Sequence, residues 1–482
     1  MIKKSLRLST FLLLFLLTPF FLCAFDIGLI INNRTTLHHD KGREHATYAE
    51  ERLFLNLYMN HYFQENYFFK AQGHFDLEIH YNHTKKEYQV FPLGNLDRFL
   101  IGGTAFTNGK HIRAIDFQIG RQLFSDFSQE VAHLIMDGAS IGFNTEQARI
   151  SLALGYTGLV YSWINYHNMN AADATTVQRW NYPATATSDK QKQFFDSFVA
   201  LHGAPRLIAN LEVKAPSLFE GQNLYFGALA QIDLWNYFND TVVKPKQTVK
   251  SESDITPMHT LYTGVGLQGF ASQYFSYNLF AYFGTGVIYN YAADSNSATG
   301  FSYQPQGIAS GLVGLDLDAY IPQALYSHFN LNVRYASGDK ENSNFYDYSN
   351  NTKALTKFTP VNSPTTNMVF NPSLSNLVTV GANYSFKPFS TLNNHYLDNF
   401  LIGLGFKSFL KASEGALSTQ SQMNSTHQPY VGTELNVLMN LITISDFSLM
   451  ATTGVFFPNA ELFIDGLKGP RVEAEINFSF KI

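Results

Sequence analysis

The sequence predicts an all-β fold, a closed antiparallel transmembrane β-barrel of about 18 strands (range roughly 16–20) with short turns at one end and long loops at the other. Three observations carry this. Charged residues are only 15% of the 482, while aromatics reach 15%, with 43 Phe and 27 Tyr; soluble domains carry roughly 25% charge. Apolar and polar residues alternate over runs longer than soluble strands sustain. The connections between these runs are long and short in turn. A mean hydropathy of −0.10 excludes a helical membrane protein, and the aromatic content excludes a disordered chain. A net charge of −5 and pI near 6.3 leave no electrostatic footprint for nucleic acid.

The N-terminus is predicted to be a signal peptide. Lys3, Lys4 and Arg7 precede the apolar run from Phe11 to Leu22, which ends at Cys23-Ala24. That is a basic n-region and a short h-region, shorter than the ~20 residues of a membrane anchor. Residues 1–24 are therefore expected to be removed, leaving a barrel over 25–482. Leu22 is too large for a lipobox, so lipidation of Cys23 is not expected. Cleavage removes the chain's one cysteine, so no disulfide framework is available. It also removes those three positive charges, taking the net charge from −5 to −8. No later apolar stretch approaches 18 residues, so a membrane-spanning mature chain has to be a closed barrel, which satisfies every backbone polar group internally.

The strands read in order as 26–35, 50–61, 67–81, 94–104, 111–122, 133–143, 148–160, 198–214, 222–236, 258–270, 275–289, 307–320, 325–336, 376–386, 397–410, 428–440, 446–457 and 470–482. The last is the clearest. Val472, Ala474, Ile476, Phe478, Phe480 and Ile482 alternate with Arg471, Glu473, Glu475, Asn477, Ser479 and Lys481, which places the two sets on opposite faces. In the third, Tyr67, Phe69, Phe75, Leu77 and Ile79 face away from Lys70, Gln72, His74, Asp76, Glu78 and His80. The same rhythm runs through 206–214 and 328–335. The gaps alternate long and short, as turns at one barrel end and loops at the other require. An even strand count puts both termini at the short-turn, periplasmic side.

Three long gaps have their own character. The stretch 161–197 holds Trp163, Tyr166, Trp180 and Tyr182, and Ser188 is placed to cap a short helix over Asp189 to Leu201. It reads as an extracellular loop, with inward folding to narrow the pore as the alternative. The stretches 237–257 and 337–375 are rich in Asn, Ser, Thr, Asp and Lys and read as solvated loops. No separate plug domain is expected, which argues against a plugged transporter of about 22 strands.

The inner wall is expected to carry the polar set. Its pore-lining candidates are Lys70, Asp76, Glu78, Asp116, Arg121, Arg149, Arg206, Glu212, Asp233, Asp316, Arg334 and Glu434. Both signs are present with a slight acidic excess, which gives at most a weak ion preference. No GxSxG, HExxH, P-loop or paired CxxC motif occurs, so no catalytic residue, cofactor or metal site is assigned and no enzyme is expected. His74 and His80 share the inner face, but two histidines alone do not make a metal site.

Ile119-Gly120-Arg121-Gln122 followed by Met136-Asp137-Gly138-Ala139 resembles the "GRQ … DG" passage of alginate-export and related substrate-specific porins. In those proteins the Arg ends one strand at a loop and the Asp-Gly opens the next. The resemblance implies an 18-stranded barrel and passage of an anion. The mixed lining departs from a basic anion channel, and the terminal Lys481-Ile482 departs from the usual final Phe. The expected function is an outer-membrane porin for passive diffusion of small hydrophilic solutes. Its expected partners are outer-membrane lipid, those solutes and the barrel-assembly machinery, with a monomer or homotrimer as assembly. An adhesin or structural barrel using its long loops, and a transporter of hydrophobic substrates, are the alternatives.

Overall fold

The computed structural model describes residues 25–40, 47–63, 66–82, 87–107, 109, 111–160, 205–219, 221–234, 258–293, 301–340, 354–362, 367–392, 394, 397–417, 428–444, 446–463 and 467–481. They form eighteen strands: β1 (Phe25–Asp40), β2 (Thr47–Phe63), β3 (Tyr67–Asn82), β4 (Glu87–Phe106), β5 (Ile112–Ser125), β6 (His133–Thr145), β7 (Arg149–Tyr156), β8 (Arg206–Phe219), β9 (Gln222–Asp233), β10 (Met258–Phe270), β11 (Phe275–Ala293), β12 (Phe301–Ile321), β13 (Ser327–Ala336), β14 (Leu377–Phe386), β15 (Leu401–Lys411), β16 (Tyr430–Ile444), β17 (Phe447–Pro458) and β18 (Arg471–Lys481). No helix occurs among the described residues. The expected helix over 189–201, and the expected loops 161–197 and 237–257, lie outside the described residues.

Each strand pairs antiparallel with its sequence neighbours, and β1 pairs with β18 from Ile30↔Lys481 to Asp40↔Arg471. The ring is closed and leaves no edge. Alternation does what period 2 requires: Ile476, Phe478 and Phe480 are 45–46% exposed on the outside, while Glu473 on the other face is 8% exposed. Ile119, Phe283, Phe329 and Leu404 extend this outer apolar belt. Such a belt is stable against lipid, not water.

The long–short rhythm holds with two exceptions. The connection 83–86 on the long-loop side is tight, and 387–400 on the short-turn side is long. The expected long gap before 94 is closed, because β4 begins at Glu87 and zips against β3 up to Asn82↔Glu87.

A larger correction concerns the inside of the barrel. Its wall is not uniformly polar. Ile208, Leu229, Tyr262, Tyr282, Leu312, Phe409 and Phe456 are buried together with Val131, Phe358, Val361, Phe370, Leu374, Phe463 and Leu467 from connecting segments. The region 337–375 is thus not simply a solvated loop, because 354–362 and 367–375, among its described parts, pack within the ring. The polar composition of the whole stretch masks apolar residues that only the barrel interior can bury. All members of this cluster come from β6 and β8 to β17 and their connections, including the turn 126–132; none comes from β1 to β4 or β18.

Candidate functional site

Two inward segments build the site. The first is the turn 126–132 between β5 and β6. Asp126 organises it as an Asx-type turn: one carboxylate oxygen accepts the Ser128 N–H and hydroxyl at 2.9 and 2.6 Å, and the other accepts the Val131 and Ala132 N–H groups at 3.1 and 2.7 Å. This geometry throws Phe127 across to β9–β11. Its ring stacks on Tyr225 and Tyr282, with centroids 5.5 and 5.0 Å apart. It lies over Gly227 and Gly266, where an added Cβ would come within 2.9 and 2.7 Å of the ring. The Tyr282 hydroxyl donates to Asp126 at 2.7 Å. Glu130 reaches further, to Arg334 on β13 at 2.7 Å. Arg334 also pairs with Asp316 at 2.8 Å and stands over the Phe280 ring.

The second segment comprises the described residues 354–362 and 367–376. Leu355 bridges β12 through N–H to Gly307 O and C=O to Ala309 N–H, 2.8 and 2.9 Å. The Tyr262 hydroxyl donates to Thr359 O. Val361 and Asn362 N–H groups donate to Val131 O at 2.8 and 3.2 Å, and the Asn362 amide exchanges two bonds with the His133 backbone. The two segments are therefore tied to each other. Glu434, fully buried, accepts the N–H groups of Met368, Val369 and Phe370 at 3.0, 3.3 and 2.8 Å. Phe370 then stacks on Phe456 at 4.3 Å and edges Phe409 at 5.1 Å.

The opposite wall, β18 through β4, has a different chemistry. Arg34 pairs with Glu475 at 3.1 Å, His38 with Glu473 at 3.2 Å, and Arg52 with the buried Asp76. His74 Nδ1 meets Asp97 at 2.6 Å, and His80 meets Glu78. Glu50, Glu78 and His80 bring one ligand-type atom each to within 4.8 Å of one another. Their charges are shared with Arg52 beside them.

The twelve candidates distribute unevenly. Asp316, Arg334 and Glu434 belong to the loop anchorage just described. Asp76 and Glu78 belong to the charged wall. Asp116 accepts from Thr104 at 2.8 Å and Asn144 at 2.7 Å, and Arg149 lies 3.3 Å away. Lys70 stands over the Phe68 ring at 4.8 Å. Arg206 and Asp233 are buried, face each other in register across β8 and β9, and lie beside the Thr157 and His259 contacts. Glu212 is directly opposite Ser151 and Gly227.

Arg121 is a correction. It is 3% exposed and spends its guanidinium on Asp137 at 2.8 Å, Leu96 O at 2.5 Å and Val160 O at 3.1 Å. It shares strand parity with the outward Ile119. The GRQ/DG residues do not end and open strands as the resemblance implied. They lie within β5 and β6 in direct register, Gly120↔Gly138 and Arg121↔Asp137. Gly120 has φ +126°, and a Cβ there would come 2.2 Å from Phe99 O. Arg121 therefore staples this hairpin to its neighbours and is not presented to an open lumen.

Sequence reasoning missed Asp126, Phe127, Glu130, Lys407 and the latch at 368–370. The Asp126-Phe127-Ser128 Asx signal was readable as a turn, but nothing local says that the turn points inward. Similarly, Asn332, Asn383 and Asn436 lie on three different strands, β13, β14 and β16, and only their register against glycines shows them gathered.

No family model and no curated protein matches this chain. Among solved structures it is similar to Pseudomonas aeruginosa OpdK with vanillate, at 11% identity and a TM-score of 0.48, covering 95% of this chain and 98% of that one. It is similar also to OccK11 (OpdR) of that bacterium, at 8% identity and TM-score 0.46, with 95% and 96% covered. The same organism's OprD is 9% identical at TM-score 0.46, with 95% of both chains covered. The likeness is one of barrel architecture.

Proposed function

We propose that this chain is an outer-membrane channel for passive diffusion of small hydrophilic solutes, exported with residues 1–24 as a cleaved signal peptide. The observation that supports it most is the asymmetry of the ring's interior. The inward segments pack on β6 to β17, while the described wall from β18 to β4 carries charged and histidine side chains and contributes nothing to the apolar cluster. Water and solute pass along that charged wall, and the loops narrow it from the other side. Asp26, Glu50, Asp76, Glu78, Asp97, Glu473 and Glu475 stand there against Arg34, Arg52, Lys70, Arg98, Arg471 and Lys481, a wall of mixed sign with a slight acidic excess, so any cation preference is weak. The reading assigns no catalysis. Lipid surrounds the apolar belt, the barrel-assembly machinery inserts it, and the protein works as a monomer or homotrimer.

The test is single-channel conductance in a planar bilayer under a salt gradient. Discrete steps with a cation-side reversal potential are expected. Silence from folded, heat-modifiable protein means a sealed lumen and overturns the channel reading.

A further inference from the structure

Between the wall strands β12–β16 and the segment 367–374 lies a cavity of about 260 Å3, close to the ~300 Å3 at which small-molecule sites begin. We propose that it is a binding subsite for a neutral, polyhydroxylated solute about the size of a monosaccharide. The proposal rests on the channel reading only for how the solute arrives.

The charges at the cavity are spent on each other. Arg334 is paired with Glu130 and Asp316, and Asn278 donates to Asp316 at 3.1 Å. Lys407, also at the cavity, lies opposite Glu434 in register, so the cationic and anionic groups around the cavity offset one another. The amides behave differently. Asn330 donates to Asp318 at 2.9 Å and accepts from Asn332 and Asn383 at 3.1 and 3.3 Å. Asn436 donates to Glu434 at 3.0 Å. Each of Asn332, Asn383 and Asn436 thus has an N–H committed, while its amide oxygen accepts no hydrogen bond among the described residues. The Thr379 hydroxyl is likewise unpaired, as is the buried Asn436 oxygen.

Register explains how the oxygens are accommodated. Asn332 faces Gly381, Asn383 faces Gly405 and Asn436 faces Gly454 across adjacent strands. A Cβ at these glycines would come 2.5, 3.1 and 2.5 Å from the respective amide oxygens. Three asparagines over three glycines leave acceptors on the wall with no donors to meet them. Unpaired acceptors in a confined site favour a guest that brings O–H donors. A carboxylate group brings none, and a charged guest of either sign meets only groups that already offset one another.

The experiment uses the full barrel in a sugar-free detergent such as LDAO, with ligand-observed NMR titration of D-glucose, gluconate and glucosamine. These probes have similar size and differ in charge. Glucose is expected to bind, with the two charged probes weaker by about tenfold. Thr379→Val and Asn383→Ala are each expected to weaken glucose by about three- to tenfold, the effect of one lost hydrogen bond. Thr379→Val preserves shape, so it keeps the test informative where the amide variant disturbs folding. Equal binding of all three probes, no binding, or glucose binding unchanged by Thr379→Val in folded protein overturns the subsite. Preference for gluconate overturns it in favour of an anion site. Glucose binding in a protein that never conducts keeps the subsite and removes only the channel reading.

Discussion

Arg334 on β13 and Glu130 in the turn before β6 form a 2.7 Å ion pair although 204 residues separate them. The pair fastens the shorter inward segment to a wall nearly half the ring away. Both side chains are largely buried, so the cost of breaking the pair depends on which partner is removed. Arg334→Met leaves Glu130 and Asp316 as neighbouring buried carboxylates, with an expected cost of about 3–5 kcal/mol. Glu130→Gln leaves Arg334 still held by Asp316, and the loss is about 1–2 kcal/mol. Heat-modifiability midpoints of the two variants give the order. A larger loss for Glu130→Gln contradicts the described network.

Glu434 is the latch of the longer segment. A glutamine there keeps the volume but turns an N–H2 toward one of three backbone donors, where only acceptors fit. Loss of about 1.5–3 kcal/mol is expected for each charge-assisted bond that is broken. Unlatching 368–370 should also raise single-channel conductance. Conductance identical to the parent protein, at full Glu434→Gln occupancy of folded barrel, would mean this segment does not narrow the path.

Phe127 sits between two tyrosines over two glycines, and each element of that seat can be varied. Phe127→Ala removes a partly buried ring, so it is expected to cost less than the ~3–5 kcal/mol of a fully buried aromatic and to widen the channel. Gly266→Val places branched carbon where the ring lies 2.7 Å from an added Cβ, expelling the turn without touching it. Both variants should converge on the same enlarged conductance. Divergence, with only Phe127→Ala enlarged, would show that the glycine seat is incidental.

The faces of β18 give a test of orientation. Ile476 lies midway along the strand on the exposed face, so Ile476→Arg is expected to cost about 2–4 kcal/mol on refolding into lipid vesicles. Phe478→Arg, nearer the strand end, should cost less because the penalty falls toward the interface. Asn477→Arg, on the inner face, should cost least. Equal penalties at Ile476 and Asn477 would show the inside–outside assignment to be wrong.

Strand identity was legible from residues such as Val472 to Lys481 because a two-residue period is a local property, set by one strand between lipid and interior. The strand number followed from counting those periods, and the polar wall at Asp76, Glu78 and Glu473 followed from their phase. The anchorage was not legible. Asp126 announces a turn, but whether that turn lies outside or inside the ring is decided by Tyr282 and Arg334, which arrive from β11 and β13. Phe358 and Phe370 sit in a stretch whose composition is that of a solvated loop, and only a closed ring provides the apolar wall that buries them. The same holds for Asn332 over Gly381, whose spacing says nothing until two strands are in register. The sequence by itself determined a barrel and its two faces, because alternation needs no partner. Tertiary structure alone decided what narrows the barrel and where its unpaired acceptors gather, because those depend on contacts between residues far apart in the chain.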